Sequence, residues 1–267
     1  TTEINYQKLG APEDGEASIY TKDESETYPY ANINIAPPVR LVKKVTKSAG
    51  NITQTQNYEY GGAVSHTQGL GFLGFKTLKK SNWYGNGVGR LWNISLHNPQ
   101  KRGAITSQWL STNSSSNPYS FLNKTDYTYS TSLASNKVYT NLPTTIRLEN
   151  KLKGVISTKT INYDGYKNPQ TITNSFSGGK KTKTVTYANS TSLSNYYIGR
   201  STKIIEANTL GSDTFSSEQQ MTYYSNHLLK TLKKKGNGNT GFVTETFTYD
   251  AFGNVLKKAL SASGVNR

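Results

Sequence analysis

Apolar and polar positions alternate along most of this chain, with a period of two rather than 3.6. In Val243-Thr-Glu-Thr-Phe-Thr-Tyr249, Phe247 and Tyr249 share one face while Thr244, Thr246 and Thr248 share the other. Tyr58 and Tyr60 likewise oppose Asn57 and Glu59. Val39–Val45 alternates imperfectly, Ser48-Ala-Gly-Asn51 supplies turn residues, and Ile52–Tyr60 returns, which predicts a hairpin over 39–60. Gly61-Gly62 then predicts a turn. Glycine next interleaves with large apolar residues over Gly69-Leu-Gly-Phe-Leu-Gly-Phe75; Gly71 and Gly74 inside that run predict a bulge, a bend or close approach of another backbone. No long amphipathic helix is predicted anywhere. The expected class is all-β.

Residues 1–38 break this pattern. They read as an irregular, acidic leading segment ending in Ala36-Pro37-Pro38, where two prolines disfavour helix and central strand alike. The expected organisation is therefore a leading segment 1–38 and a β-sheet region 39–267. Ser111-Thr-Asn-Ser-Ser-Ser-Asn-Pro118 predicts a low-complexity turn between strands, and Gly85-Asn-Gly-Val-Gly89 a surface loop. That glycine loop is not a phosphate cradle, since no G-x-x-x-x-G-K-[ST] and no following helix accompany it.

From residue 120 a degenerate repeat emerges. Its copies are Asp126-Tyr-Thr-Tyr129, Ile161–Ile172, Thr182–Tyr187, Met221–Leu232 and, best formed, Thr246-Phe-Thr-Tyr-Asp-Ala-Phe-Gly-Asn-Val-Leu256. Tyr163 to Tyr187 is 24 residues and Tyr223 to Tyr249 is 26, room for two strands and two turns. Each unit reads as a strand ending in Tyr, a tight turn built on Asp and Gly or Asn, and a short outgoing strand. Tyr packs its ring and keeps its hydroxyl bonded. Asp250 is suited to accept turn amides, and Gly253 to supply a positive φ.

Tyr249-Asp-Ala-Phe-Gly-Asn-Val-Leu256 closely resembles the YD repeat of the Rhs/YD-repeat shell family, which includes the B subunits of insecticidal Tc toxins. Tyr163-Asp164 matches its start, then departs at Lys167-Asn168-Pro169, and Tyr223-Tyr224 lacks the Asp. The stretch from Tyr58 to Lys76, with Tyr58, Tyr60, His66, Gly69, Gly71, Phe72, Gly74 and Phe75, is similar to a hallmark of the same shells. The resemblance covers roughly residues 36–260. It implies a large curved antiparallel sheet of YD hairpins, a segment of a spiral cocoon that encloses a C-terminal toxin or other cargo. The implied partners are the rest of a longer chain or that cargo, with export machinery. The implied location is secreted or on the bacterial cell surface. Rhs proteins often carry an Asp-Pro-containing core that releases the toxin; no Asp-Pro dipeptide occurs here.

Composition changes this picture only at its edges. Hydrophobic residues make up 33% of the chain, yet 19 residues are Tyr and 8 are Phe, as expected of Thr/Tyr/Val strands between polar turns. The net charge is +15, but residues 1–26 hold seven acids against two lysines (−5), so the remaining 241 residues carry +20. The basic residues are mostly scattered lysines at strand ends, without clustered Arg and stacked aromatics, which argues for solvated strand positions over a nucleic-acid site. There is no cysteine, and no signal peptide or transmembrane span is visible. The chain opens on Thr-Thr-Glu, which suggests a processed product or a fragment of a longer protein.

Candidate chemistry is thin. Only His66, His97 and His227 are available as bases; His66 is expected to be structural and the other two to lie in turns or on the surface. Asp23-Glu24-Ser25-Glu26 lacks a spaced calcium-loop signature. The expectation is no enzyme, no cofactor and no metal. An alternative function is an adhesin or glycan-binding module in which Trp83, Trp92 and Trp109 stack on sugar rings and basic residues meet acidic polysaccharide.

Overall fold

The structure, a computed structural model, describes residues 1–262. It is all-β, with 18 strands, a single 3₁₀ turn at Pro99–Lys101 and no α-helix among the described residues. The chain divides into two compact units, Thr1–Ile156 and Ser157–Arg267.

The first unit holds β1 (Thr2–Leu9), β2 (Tyr20–Thr21), β3 (Tyr30–Ile33), β4 (Ala36–Ala49), β5 (Ile52–His66), β6 (Gly71–Ser81), β7 (Trp92–Asn98), β8 (Ala104–Ser111), β9 (Asn123–Leu133) and β10 (Tyr139–Asn150). Antiparallel pairing runs β1–β4–β5–β6–β7–β8–β9–β10. The long β5 is also flanked by β3, antiparallel, and by the short parallel β2. The second unit takes in most of β11 (Val155–Tyr163), then β12 (Pro169–Phe176), β13 (Gly179–Ser190), β14 (Tyr197–Leu210), β15 (Asp213–Tyr223), β16 (Leu229–Lys235), β17 (Val243–Tyr249) and β18 (Val255–Ala262), each antiparallel to the next.

The expected hairpin over 39–60 forms with a two-residue turn, Gly50-Asn51, between Ala49 and its partner Ile52. Three expectations need correction. First, Gly61-Gly62 is not a turn: β5 runs straight through to His66, and the chain reverses at 67–70. The two glycines instead admit close neighbours, Thr77 and Thr21 against Gly61 and the Lys76 stem against Gly62. Second, Asp126–Tyr129 is mid-strand in β9, and the reversal comes at Ala134–Val138. Third, the leading segment is not irregular throughout, and residue 38 is no boundary. β1 pairs along β4, Pro37 and Pro38 lie inside β4, and Leu9 and Tyr20 join Leu41 and Ala63 in a core. Alternation in Glu3-Ile-Asn-Tyr-Gln-Lys-Leu9 was the available signal, masked by acidic composition.

A second core lies on one face of β7–β8, where Trp92, Ile94 and Trp109 are buried with Leu96 and Phe121 against them. The polar segment after β8 lies over this region as ordered chain. Side chains of Ser111, Asn113, Ser115 and Asn117 each accept from the amide two residues on, ending at Tyr119. Lys79 Nζ also donates to Ser114 O at 2.7 Å.

The second unit buries only Ile161 and Val185 among its described apolar side chains. Its register is held instead by cross-strand pairs. One face is a threonine array in which Thr173 meets Thr182, Thr209 meets Thr214 and Thr222 meets Thr231 through their hydroxyls. Three glutamates are each clasped by two lysines from neighbouring strands: Glu206 by Lys181 and Lys183, Glu218 by Lys203 and Lys235, Glu245 by Lys234 and Lys258. The Gln220 amide together with these lysines pulls the Glu218 carboxyl down to about 2. Exposed pairs of this kind add little stability each. Their value is in register, because a one-residue slip moves each partner to the opposite face.

Candidate functional site

The recurring local feature is a closed five-residue turn, found four times among the described residues: Ala134–Val138, Asp164–Asn168, Tyr224–Leu228 and Asp250–Asn254. In every copy the first amide donates to the fifth carbonyl at 2.9 Å, and the fourth amide donates back to the first carbonyl at 2.9 to 3.1 Å. The fourth residue is left-handed each time: Lys137 (φ 66°), Lys167 (φ 71°), His227 (φ 72°) and Gly253 (φ 86°).

Two copies carry Asp in first place, and both use it identically. Asp250 Oδ1 accepts from the amides of Phe252 and Asn254, and Oδ2 from the Asn254 side chain. Asp164 repeats this with Tyr166 and Asn168. The Asn254 side chain and the turn amides hold the Asp250 carboxyl below its ordinary value. For Asp164, burial raises the pKa, but donors from Asn168, Tyr166 and Asn189 outweigh it, and the net shift is downward. In the other two turns an Asn in third place, Asn136 or Asn226, accepts from the fifth amide.

Four strand tyrosines reach back to an earlier strand, and three of them, Tyr129, Tyr223 and Tyr249, lie on strands that lead into one of these turns. Tyr249 Oη donates to Leu229 O (2.8 Å), Tyr223 to Ser201 O (2.7 Å), Tyr187 to Pro169 O (2.9 Å) and Tyr129 to Ile105 O (2.7 Å). Each bond spans 18 to 24 residues of chain, so every clasp ties one hairpin to its predecessor. Burial raises the pKa of Tyr163, Tyr187, Tyr223 and Tyr129 above the ordinary tyrosine value. Tyr224, standing where two of the turns have Asp, donates instead to Phe247 O across the sheet (2.9 Å).

A left-handed backbone costs an L-residue roughly 1–2 kcal/mol relative to its preferred conformations, while glycine gives back about 0.5–1 kcal/mol as lost unfolded-chain freedom. Lys167→Gly is therefore expected to stabilise the protein by about 0.5–1 kcal/mol, read as a raised denaturation midpoint in urea. A lowered midpoint would show that the Lys167 side chain contributes more than its backbone costs.

In the first unit, the stretch from Tyr58 to Lys76 is buried at Gly61–Val64 and exposed at 67–72. Phe75 packs on Tyr60 (4.9 Å between ring centroids) and edge-on to Tyr20 (6.3 Å). Tyr60 Oη donates to Val42 O, and Tyr20 Oη donates to Ile33 O while accepting from the Ala63 amide. Gly69, Gly71 and Gly74 all have positive φ, and a bulge places Leu73 unpaired between Phe72 and Gly74. Phe72 meets Phe75 at 5.6 Å but stays more than half exposed. His66 is edge-on to Tyr30, and its Nδ1 accepts from the Gln68 amide.

Two of the three carboxylates in the acidic run of the leading segment pair with Lys76 on β6. Lys76 Nζ sits 2.5 Å from Asp23 Oδ2 and 2.5 Å from Glu26 Oε1, and 2.6 Å from Ser25 Oγ. Burial alone would lower the Lys76 pKa, but Asp23 and Glu26 outweigh it and raise it, while Lys76 lowers Asp23. An ammonium occupies the position a cation would take. Gly85–Val88 is a tight turn whose end amides and carbonyls bond each other, with Asn86 and Gly87 both left-handed.

Two of the three tryptophans proposed for sugar stacking are core residues. Trp92 is 3% exposed and Trp109 1%, because alternation directs both to the covered face with Ile94. Trp83 is half-buried, with Lys47 Nζ 4.5 Å over its ring. Sequence reading also missed a serine–histidine contact within β7. Ser95 Oγ lies 2.9 Å from His97 Nε2, and His97 Nδ1 lies 3.0 Å from Gly103 O. Spacing of two on one strand was the available signal. A backbone carbonyl, not a carboxylate, backs the imidazole. His227 lies against Arg200, whose guanidinium stacks on Tyr197 and Tyr223.

No protein-family model and no curated protein matches this chain. Among solved structures, the fold is similar to part of TcdB2-TccC3, crystallised without its hypervariable C-terminal region, with a TM-score of 0.59 at 7% identity. The match covers 76% of this chain but only 16% of TcdB2-TccC3. A porin-like protein from Bacteroides uniformis also aligns, at a TM-score of 0.22 and 14% identity over 70% of this chain and 94% of that one, which carries no weight. The class so defined is an antiparallel β-sheet protein with the fold of a portion of TcdB2-TccC3.

Proposed function

We propose that this chain is a structural segment of a secreted or surface-exposed Rhs/YD-type β-shell that encloses or carries a C-terminal toxin or other cargo, with no catalysis in this segment. The observation that carries the reading is the turn-and-clasp repeat on a fold similar to part of TcdB2-TccC3. Each hairpin leaves an unpaired edge that the next one covers, and the tyrosine clasps fix the spacing, so the design extends by repetition. Its partners are then the remainder of a longer chain and the enclosed cargo, with export machinery handling the whole. The glycan-binding alternative loses two of its three rings to the core.

The test is limited proteolysis and electron microscopy of the protein expressed from its complete reading frame. The proposal expects these residues in the wall of a hollow particle, with cargo resistant to protease until the shell is opened. A solid or rod-like particle, or cargo cleaved as fast as when expressed alone, would overturn it.

A further inference from the structure

The sheet face opposite the tryptophan core carries a groove of about 660 Å³ in the first unit, within the size range of small-molecule sites. Register builds it: Tyr58 pairs with Lys80, Tyr60 with Leu78, Lys80 with Asn93 and Asn93 with Leu110, so these six side chains share one face of β5–β8. Its floor is mostly apolar, made of Leu78, Leu110 and the two tyrosine rings, with Ser95 beside Leu78 already bonded to His97. Both hydroxyls are already committed, Tyr58 to Gln56 Oε1 (2.7 Å) and Tyr60 to Val42 O (3.1 Å).

Two polar side chains there have no partner among the described residues. The Lys80 ammonium makes no ion pair or hydrogen bond, only a ring contact 5.8 Å from the Tyr58 centroid, and the Asn93 side chain makes none. Neighbouring Lys79 shows the contrast, because it points to the other face and binds Glu59 at 3.1 Å. No carboxylate lines the groove among the described residues. We infer that it binds an amphiphilic monocarboxylate, with an apolar body over Leu78, Leu110 and the Tyr58 ring and a carboxylate held by Lys80 and Asn93. A saccharide fits less well, since its many hydroxyls would meet two free polar groups. The inference is independent of the shell proposal, since it needs only the local sheet.

Calorimetric titration of the 267-residue chain with sodium decanoate, decanol and oligogalacturonate tests it. Saturable decanoate binding is expected, weakened at least fivefold by Lys80→Gln, in keeping with the strength of charge-assisted hydrogen bonds. A smaller loss is expected for Asn93→Ala, and decanol binding should not respond to Lys80→Gln. Lys80 is exposed, so the variant is expected to fold, which circular dichroism checks. Absence of saturable decanoate binding, decanoate binding indifferent to Lys80→Gln, or oligogalacturonate binding in its place would each overturn the assignment.

Discussion

Trp109→Ala is expected to destabilise the protein by about 3–5 kcal/mol, the range for emptying a large aromatic site in a packed core. Trp109 is 1% exposed, faces Ile94 across the β7–β8 pair and packs with Trp92, while Phe121 closes over the cluster. Trp92, Ile94, Leu96 and Phe121 form the apolar part of the wall around that hole. Trp109 Nε1 has no hydrogen-bond partner, so the loss comes from packing rather than from a broken polar contact. That separates two substitutions. Trp109→Phe removes an unsatisfied donor and only part of the volume, and should fall well short of the alanine loss. Urea unfolding followed by circular dichroism reads both. Equal effects would mean that ring size is not what the site requires. A near-neutral alanine variant would mean that the cluster is not a core.

Gly10→Ala is expected to cost about 2–5 kcal/mol, combining backbone strain of roughly 1–2 kcal/mol with an overpacking cost of about 1–3 kcal/mol. Gly10 follows β1 with φ at 67°, and a Cβ there would lie 1.8 Å from Asn34 O and 2.9 Å from Asn34 C. Those are backbone atoms and cannot rotate aside. Either the end of β1 or the 34–35 segment must move, and both flank the core built on Leu9 and Leu41. Gly15→Ala is the internal control: φ is 80° there, but nothing lies within 4 Å, so only the strain contribution remains. The expected order of midpoints is wild type, then Gly15→Ala, then Gly10→Ala. Equal losses at the two positions would show that the contact with Asn34 relaxes without penalty.

Period-two alternation made the all-β class legible, as did Gly50-Asn51 for the first hairpin and Tyr249–Leu256 for the best-formed turn. The remaining turns were obscured because the backbone demands a left-handed fourth residue but does not demand glycine. Lys137, Lys167 and His227 meet that demand at a cost the surrounding sheet absorbs, and the motif blurs accordingly. The turn at Ala134–Val138 has neither Asp nor Gly, and only Ser135-Asn136 marked it in the sequence. Gly61-Gly62 misled in the opposite sense. A glycine pair signals freedom from Cβ, and the same freedom serves a turn or a crowded strand.

The sequence by itself determined the local state of this protein: strands from alternation, turns from Asp, Asn and Gly, and the absence of cysteine chemistry. Only the tertiary structure decided which face of each strand is covered. Alternation assigns residues to two sides but does not label either as the inside, since that depends on what packs against the sheet. Trp92 and Trp109 became core because Phe121 lies against their face. Lys76 became the counter-ion of Asp23 and Glu26 because β6 passes beside them. The tyrosine clasps span 18 to 24 residues, a distance over which one sequence carries no pairing information until the strands are laid side by side.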